Sequence, residues 1–463
     1  MSNDVGPLAL VVDQGTTSIK VTLVDRLGQV VSQASATTEI ERGHGTVTAR
    51  PHRWWLTLTE LVRRLGGDVD LTAVSSVAVG GFMHTLVPVA DRGQEDVLVL
   101  LPGDVRSVER EGGLAGVPSA GGRAALARLA AWGEGGGRVR GVLTVKDYLR
   151  YQLTGVLATD AYDAGGCGLV DVATGRVVPA AAALVSELGG EIPAILDPAA
   201  RAGSVTPQAA AATGLGVGTP VVTGSGDWLV TCLGAQAAMP ERMCLYLGSS
   251  AAYGGFDGPV ALADAEPPRC LSVAVGSGSM LAWAGRSFAD AWLDDGDAFR
   301  SLLDSAAMSE PGAAGVRFVP HGSASSGSRE VGLGRGELRG LSLDVGIHDI
   351  ARAVLEGVAL WIRRGVEPVL RTHPSQEIVA CGGGARDRRW PELLADVLGH
   401  RVTVAAEFDT AALGLARLAF QGTGQDVAWP TPRVQASVVP KPADAAIYQR
   451  IFDAERAGAT NSP

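Results

Sequence analysis

The chain is short of several things. Of its 463 residues only Cys167, Cys232, Cys244, Cys270 and Cys381 are cysteine, and no C-x-x-C pair occurs. An odd, scattered set excludes a disulfide frame or a zinc site and fits buried thiols in a reducing compartment. Aromatic residues are scarce, at 5%. Uninterrupted apolar runs of about 18 residues are missing, and MSNDVGPLAL has no basic segment ahead of an apolar one, so the reading is a cytoplasmic protein with no membrane partner. Positive charge is in deficit: 39 Lys and Arg against 49 Asp and Glu give −10. That balance argues against nucleic-acid binding and means that an anionic substrate needs a local basic site. The GxxxxGK[ST] phosphate loop is also absent, which excludes that nucleotide fold.

What is present is an ordinary globular composition, 46% hydrophobic and 19% charged, long enough for two or three domains. The chain opens on LALVVDQGTTSIKVTLVD, Leu8 to Asp25. It reads as an apolar strand, a polar turn and a returning strand. Asp13 ends the first strand; Gly15, Thr16, Thr17 and Ser18 form the turn. A glycine lets the backbone approach a ligand. Hydroxyls and turn N–H groups donate to phosphate oxygens, and a single carboxylate suits a hydrated Mg²⁺. A plain hairpin with a polar tip reads equally well here. Val30–Val31 adds a third strand, making an antiparallel meander.

Further along, PHRWWLTLTELVRRL (51–65) has helical spacing, with Trp55, Leu58, Leu61, Val62 and Leu65 on one face. The strand 74–79 runs into Gly80-Gly81-Phe82-Met83-His84, and a histidine just past a strand end sits where α/β domains bind ligands, although a lone histidine is more often structural. Pro102-Gly103-Asp104-Val105-Arg106 is a turn with one acid and one base. Helices are expected over 122–132, 145–153, 179–188, 228–238, 349–370, 390–398 and 411–420. Gly224-Ser225-Gly226-Asp227 puts an acid at a strand–helix junction, a position that a simple N-cap also explains. MCLYLGSSAAYGG (243–255) repeats the strand–Gly–hydroxyl–strand grammar of the opening, which points to a duplicated architecture with a boundary at 238/239. After it, 271–275 and 279–283 read as paired strands, 287–294 as a helix, 320–340 as a mobile loop, and 429–463 as a Pro-rich tail with a disordered end.

These pieces, in this order, resemble the FGGY family of carbohydrate kinases over nearly the whole length, from Leu8 to about Gly424. The resemblance implies an α/β, two-lobed actin/hexokinase-type (ribonuclease H-like) fold with duplicated lobes and a cleft between them. The lobes would be residues 1–238, with the sugar site, and 239–463, with the adenosine motif. It implies ATP and Mg²⁺ as cofactors and a small-molecule sugar as substrate. Asp13, also the metal ligand, with Gly15, Thr16, Thr17, Ser18 and Lys20 would form the first phosphate site. Gly248, Ser249 and Ser250 would form the second, and Gly383, Gly384 and Ala385 the adenosine motif, with Gly285 joining the nucleotide set. Asp227 would be the catalytic base and also touch substrate. A solvated Lys20 is the plainer reading of that residue.

Two stretches look most like the xylulokinase branch: KDYLRYQLTGVLATDAYDAGGCGLVDV (146–172) and the Met83-His84 pair. In that branch the matching positions Met83, His84, Asp104 and Arg106 contact the sugar. Departures are Phe82 for a glutamine, Pro102-Gly103 for Trp-Asn, and Trp228 for Asn or Gln. They predict a more apolar sugar pocket around Phe82 and Trp228. The expected function is ATP-dependent phosphorylation of a small sugar, D-xylulose first. The alternatives are a gluconate or other sugar-acid or polyol kinase, with Arg106 meeting a carboxylate, and a nucleotide-binding sensor of the same fold. A homodimer is the default assembly.

Overall fold

The computed structural model describes residues 6–90, 94–135, 137–248, 250–256, 272–274, 277–288, 295–320, 336–372, 377–406, 409–425 and 434–459. They form two compact units. Within the described residues, one is drawn from 6–234 and 410–425, the other from 235–409 and 434–459. The sequence suggested one cut at 238/239. The chain instead returns late, because the Thr410–Gln421 helix packs on the Asp227–Gly234 helix and on the first unit's sheet.

The first unit is built on strands β1 (Leu8–Gln14), β2 (Ser18–Val24), β3 (Val30–Thr37), β4 (Val74–Gly81), β5 (Arg201–Ser204) and β6 (Pro220–Val222), in the order β5-β6-β4-β1-β2-β3. β1, β2 and β3 are the expected antiparallel meander. β4 runs parallel to β1 and β6 parallel to β4. The apolar run Leu8–Val12 is fully buried, as a central strand covered on both faces requires. Register puts Asp13 level with Lys20 on one side and Gly80 on the other, while Gly81 bridges to Gly226. The C-terminal ends of the parallel strands therefore gather Asp13, the Gly80–His84 segment and Gly226-Asp227, the edge where open α/β sheets bind ligands.

The Pro51–Leu65 helix buries Trp54, Leu58, Leu61, Val62 and Leu65. Trp54, not Trp55, leads the apolar face. Its ring meets Phe82 edge-on, with centroids 5.8 Å apart. Phe82 is thus a core residue, 4% exposed, and the expectation that it lines the sugar pocket is corrected.

The second unit repeats the plan. Its strands β7 (Arg242–Leu247), β8 (Ala251–Gly255), β9 (Ser272–Ala274), β10 (Glu377–Cys381), β11 (Val402–Ala405) and β12 (Val434–Val438) lie in the order β9-β8-β7-β10-β11-β12. β7, β8 and β9 are antiparallel, β10 and β11 run parallel to β7, and β12 is antiparallel. This is the sense pattern of the first sheet, strand for strand. The long Ile347–Thr372 helix supplies much of the core over it.

One expectation fails in this unit. Residues 279–283 are not a strand: Ser277–Phe288 is one helix, with Leu281 and Ala284 buried at helical spacing. It absorbs the start of the expected 287–294 helix; residues 289–294 lie outside the described residues. The Pro-rich tail carries two elements, while its expected disordered end, 460–463, lies outside the described residues. β12 is followed by the Pro442–Ala459 helix, whose Tyr448, Ile451 and Phe452 are buried. The Tyr448 hydroxyl donates to Glu356 Oε1 at 2.8 Å and accepts from Arg352 at 2.9 Å, pinning the tail to the long helix. Residues 321–335 of the expected loop lie outside the described residues. Cys167, Cys232, Cys244 and Cys381 are buried and form no disulfide.

Candidate active site

The β1–β2 turn is a two-residue loop. Gly15 N–H donates to Ser18 O at 2.9 Å, leaving Thr16 and Thr17 exposed at the tip and Asp13, Ser18 and Lys20 half-buried. Two residues the sequence reading passed over brace it. Thr38 donates from its backbone to Thr17 O (3.0 Å) and from its hydroxyl to Gly15 O (2.8 Å). Gln14, fully buried, donates to the Thr38 hydroxyl at 3.0 Å. The loop is thus held open-faced, with its hydroxyls free to turn outward.

Four residues, 223–226, separate the end of β6 from Asp227, which begins its helix. The approach is steered by Gly224, at φ +71, where a Cβ would lie 1.9 Å from Val79 O. Only glycine allows β6 to lie that close to β4 with a left-handed backbone. Burial raises the Asp227 carboxyl to about 7, and the Asp13 charge adds to the rise against the Trp228 backbone N–H. Two carboxylates, one at a strand end and one at a helix start, therefore share one edge of the sheet.

Met83 and His84 lie beside them. A Cβ on Gly226 would come within 2.7 Å of Met83 Cγ, and one on Gly166 within 2.5 Å of its Cε, so the Met83 side chain fills the space between these glycines. His84 has φ 63. Its Nδ1 lies 2.8 Å from Gly166 O. A carbonyl only accepts, so Nδ1 carries the proton. Burial lowers the His84 pKa, the Arg128 charge adds to this, and the Gly166 bond opposes it. The neutral ring is left with Nε2 as an acceptor.

The Ala161–Gly166 helix therefore belongs to the site, although sequence gave it only as a polar segment. Arg128 was missed as well. It is 6% exposed and donates to His84 O at 2.6 Å. Its Nε has no partner. Lys146, Arg150 and Arg363, the other buried basic side chains, each have a carboxylate in ion-pair range; among the described residues Arg128 has none.

Asp104 and Arg106 are used differently from what the resemblance implied. The Asp104 side chain is sealed from solvent and pairs with Arg106 at 2.6 Å. It also accepts from the backbone of Val47 (3.0 Å) and Arg106 (3.1 Å). Burial pushes this carboxyl up, but the Arg106 side chain and these N–H groups outweigh it and hold it below the usual range. Its oxygens are committed to fastening its loop to the Thr46–Ala49 strand. Trp228 is buried, 6% exposed, with its indole N–H unpartnered.

In the second unit, Gly248 N–H donates to Ser250 O at 3.0 Å across the β7–β8 turn; Ser249 lies outside the described residues. The Gly382–Ala385 turn sits against the end of β7. A Cβ on Gly382, at φ +88, would be 2.7 Å from Leu247 O, and one on Gly384 3.2 Å from it. The hydroxyl turn and the glycine triplet are thus neighbours, with Gly383 exposed and Ala385 buried. Gly285 is set by packing: a Cβ there would stand 1.8 Å from Ala298 O of the Asp295–Ala306 helix, not against either turn.

Sequence models of the FGGY family of carbohydrate kinases match the chain twice, the N-terminal domain over 8–99 and 135–234 and the C-terminal domain over 259–422. A xylulose kinase of Escherichia coli is 28% identical over 441 residues, 88% of each chain. The solved xylulose kinase of Rhodospirillum rubrum superposes with TM-score 0.78 at 27% identity, covering 97% of this chain and 98% of the other. A gluconate kinase of Lactobacillus acidophilus shares the fold with TM-score 0.81 at 20% identity, over 98% of both chains.

Proposed function

The chain belongs to the FGGY family of carbohydrate kinases, and on that premise we propose that it transfers the ATP γ-phosphate to a primary hydroxyl of D-xylulose, with Asp227 as general base. As a family member it is a sugar phosphotransferase of the two-lobed actin/hexokinase-type fold that uses ATP on a small carbohydrate. The observation that carries it is the Asp227 carboxyl, raised to about 7 beside Asp13 and the hydroxyl turn. A base poised near neutrality both exists deprotonated and accepts a proton well. Phosphoryl transfer asks little else of a protein than positioning and charge neutralisation.

His84 Nε2 accepts from an acceptor hydroxyl, and the Met83 side chain closes the wall between Gly166 and Gly226. Gly15, Thr16, Thr17 and Ser18 donate to phosphate oxygens, with Lys20 beside Asp13. Gly248, Ser249 and Ser250 form the second phosphate turn, and Gly383, Gly384 and Ala385 the adenosine contact. Mg²⁺ fits this set. Asp13 and Asp227 feel each other's charge at one edge of the sheet, as suits an ion shared between one or two carboxylates, water and phosphate. When bound it neutralises phosphate charge, and Asp13 is the residue to hold it. Among the described residues no helix is long and apolar enough to cross a membrane; a cytoplasmic homodimer is the accompanying expectation.

One observation favours a second acceptor class. Arg128, buried beside His84 without a carboxylate partner, suits a sugar acid, a role expected from sequence of Arg106. The test is ADP release with Mg²⁺-ATP against pentuloses, polyols and sugar acids. Stimulation by D-xylulose above the rest supports the lead. Stimulation by a sugar acid moves the assignment to Arg128's class. ATP binding without stimulation by any acceptor favours the sensor reading.

A further inference from the structure

Beneath the site lies a group of fully buried charges that phosphoryl transfer does not itself use. Lys146, Asp147, Arg150, Asp160 and Asp163 are all 0% exposed. Lys146 Nζ stands 2.7 Å from Asp147 Oδ1 and 3.0 Å from Asp160 Oδ1. Arg150 Nε is 3.3 Å from Asp147 Oδ1, and its remaining N–H groups go to Val156, Ala158 and Ala202 carbonyls. Burial pulls the Lys146 pKa down, but the surrounding carboxylates outweigh it and keep the ammonium charged. Burial pushes the Asp163 carboxyl well up, and Asp160 and Asp147 add to that against Lys146. Lys146 and Arg150 stand against Asp147 and Asp160, the pairing that a buried cluster needs.

The second oxygen of Asp160 does something else. Oδ2 accepts from the N–H groups of Tyr162 (3.0 Å) and Asp163 (3.2 Å), capping the Ala161–Gly166 helix whose last carbonyl orients His84. The same oxygen accepts from the Ser225 hydroxyl at 2.8 Å, two residues before Asp227. Lys146 Nζ also reaches Thr223 O at 3.4 Å. One carboxylate, neutralised by one lysine, therefore ties the helix behind His84 to the segment that delivers Asp227.

We propose that Asp160, held by Lys146, is a positioning residue that fixes the distance between the acceptor-holding His84 and the base Asp227, with Ser225 as its link to the base. The proposal rests on Asp227 acting as base. When the Ser225 link is lost, the segment that carries Asp227 loosens against the helix behind His84.

The experiment compares two hydroxyl deletions in the full-length chain. Ser225→Ala cuts the link to the base. Thr144→Ala removes the 2.8 Å hydrogen bond to Asp147 Oδ2, on the opposite side of the cluster. Each is read by thermal unfolding, ATP KM, acceptor KM and kcat, with the acceptor found active. Ser225→Ala should lower kcat at least tenfold and leave ATP KM unchanged. Thr144→Ala should lose stability alone. A folded Ser225→Ala protein with the parent kcat would overturn the proposal, as would equal losses of kcat in both variants. Retained turnover in Asp227→Asn would remove the base on which it rests, and that result is read separately.

Discussion

Replacing Asp227 by asparagine should make the protein more stable while stopping its chemistry. The native carboxyl titrates at about 7 against a usual 3.8, a rise of roughly three units, worth about 4 kcal/mol at most at 1.36 kcal/mol per unit. The group is half-buried, so water screens part of this and about 2 kcal/mol is the working figure. The sign follows from linkage. A group with a raised native pKa contributes fully below its unfolded pKa, and that contribution is lost as pH rises to the native pKa. The parent should therefore match the variant below about pH 4, fall behind between pH 4 and 7, and trail by a constant amount above pH 7. At about 2–4 °C per kcal/mol for a unit of this size, the variant should melt about 4–8 °C higher at pH 8. Calorimetry from pH 4 to 8 measures the gap, and coupled ADP release measures turnover, which should fall at least 100-fold with ATP affinity kept. Equal melting at every pH would refute the perturbed carboxyl. Parent-like turnover would refute the base.

Phe82→Ala should cost about 3–5 kcal/mol of stability, seen as a lower melting temperature, with acceptor preference unchanged because the ring is buried against Trp54. Gly224→Ala should abolish turnover and destabilise strongly, since the new Cβ meets Val79 O at 1.9 Å in a left-handed backbone; a soluble variant of parent activity would contradict the close strand approach. Tyr448→Phe should cost about 1–3 kcal/mol in denaturant titration, because Arg352 and Glu356 each lose a buried partner.

The opening hairpin was readable because its apolar run and polar turn are local features, and the same grammar at 243–255 disclosed the repeat that the two sheets carry strand for strand. Asp13 and Asp227 stood out for the same reason, as acids at strand ends. Thr38, Gly166 and Arg128 did not, because each acts across a large sequence separation and looks ordinary in its own segment. The tail helix was lost to its prolines, yet Pro442 is its first residue, where a missing N–H costs nothing. The 279–283 strand failed because a short apolar run suits either period until packing decides. Asp104 misled in another way: its motif position suggested a sugar contact, while its oxygens are taken by Val47 and Arg106.

The late return of the Thr410–Gln421 helix has a meaning for how the molecule comes into being. The Asp227–Gly234 helix meets it backbone to backbone: a Cβ on Gly234 would strike Thr410 O at 1.8 Å, and one on Gly414 Val230 O at 1.9 Å. On a ribosome adding ~5–20 residues per second, roughly 180 residues separate the two partners, a wait on the order of ten seconds or more. Through that interval the nascent first unit holds the Asp227 segment without its packing partner, so the residue proposed as the base is among the last parts of the chain to be locked in place. A chain that stalls or is clipped before residue 410 would carry Met83, His84 and Asp227 and still be unfinished around Asp227.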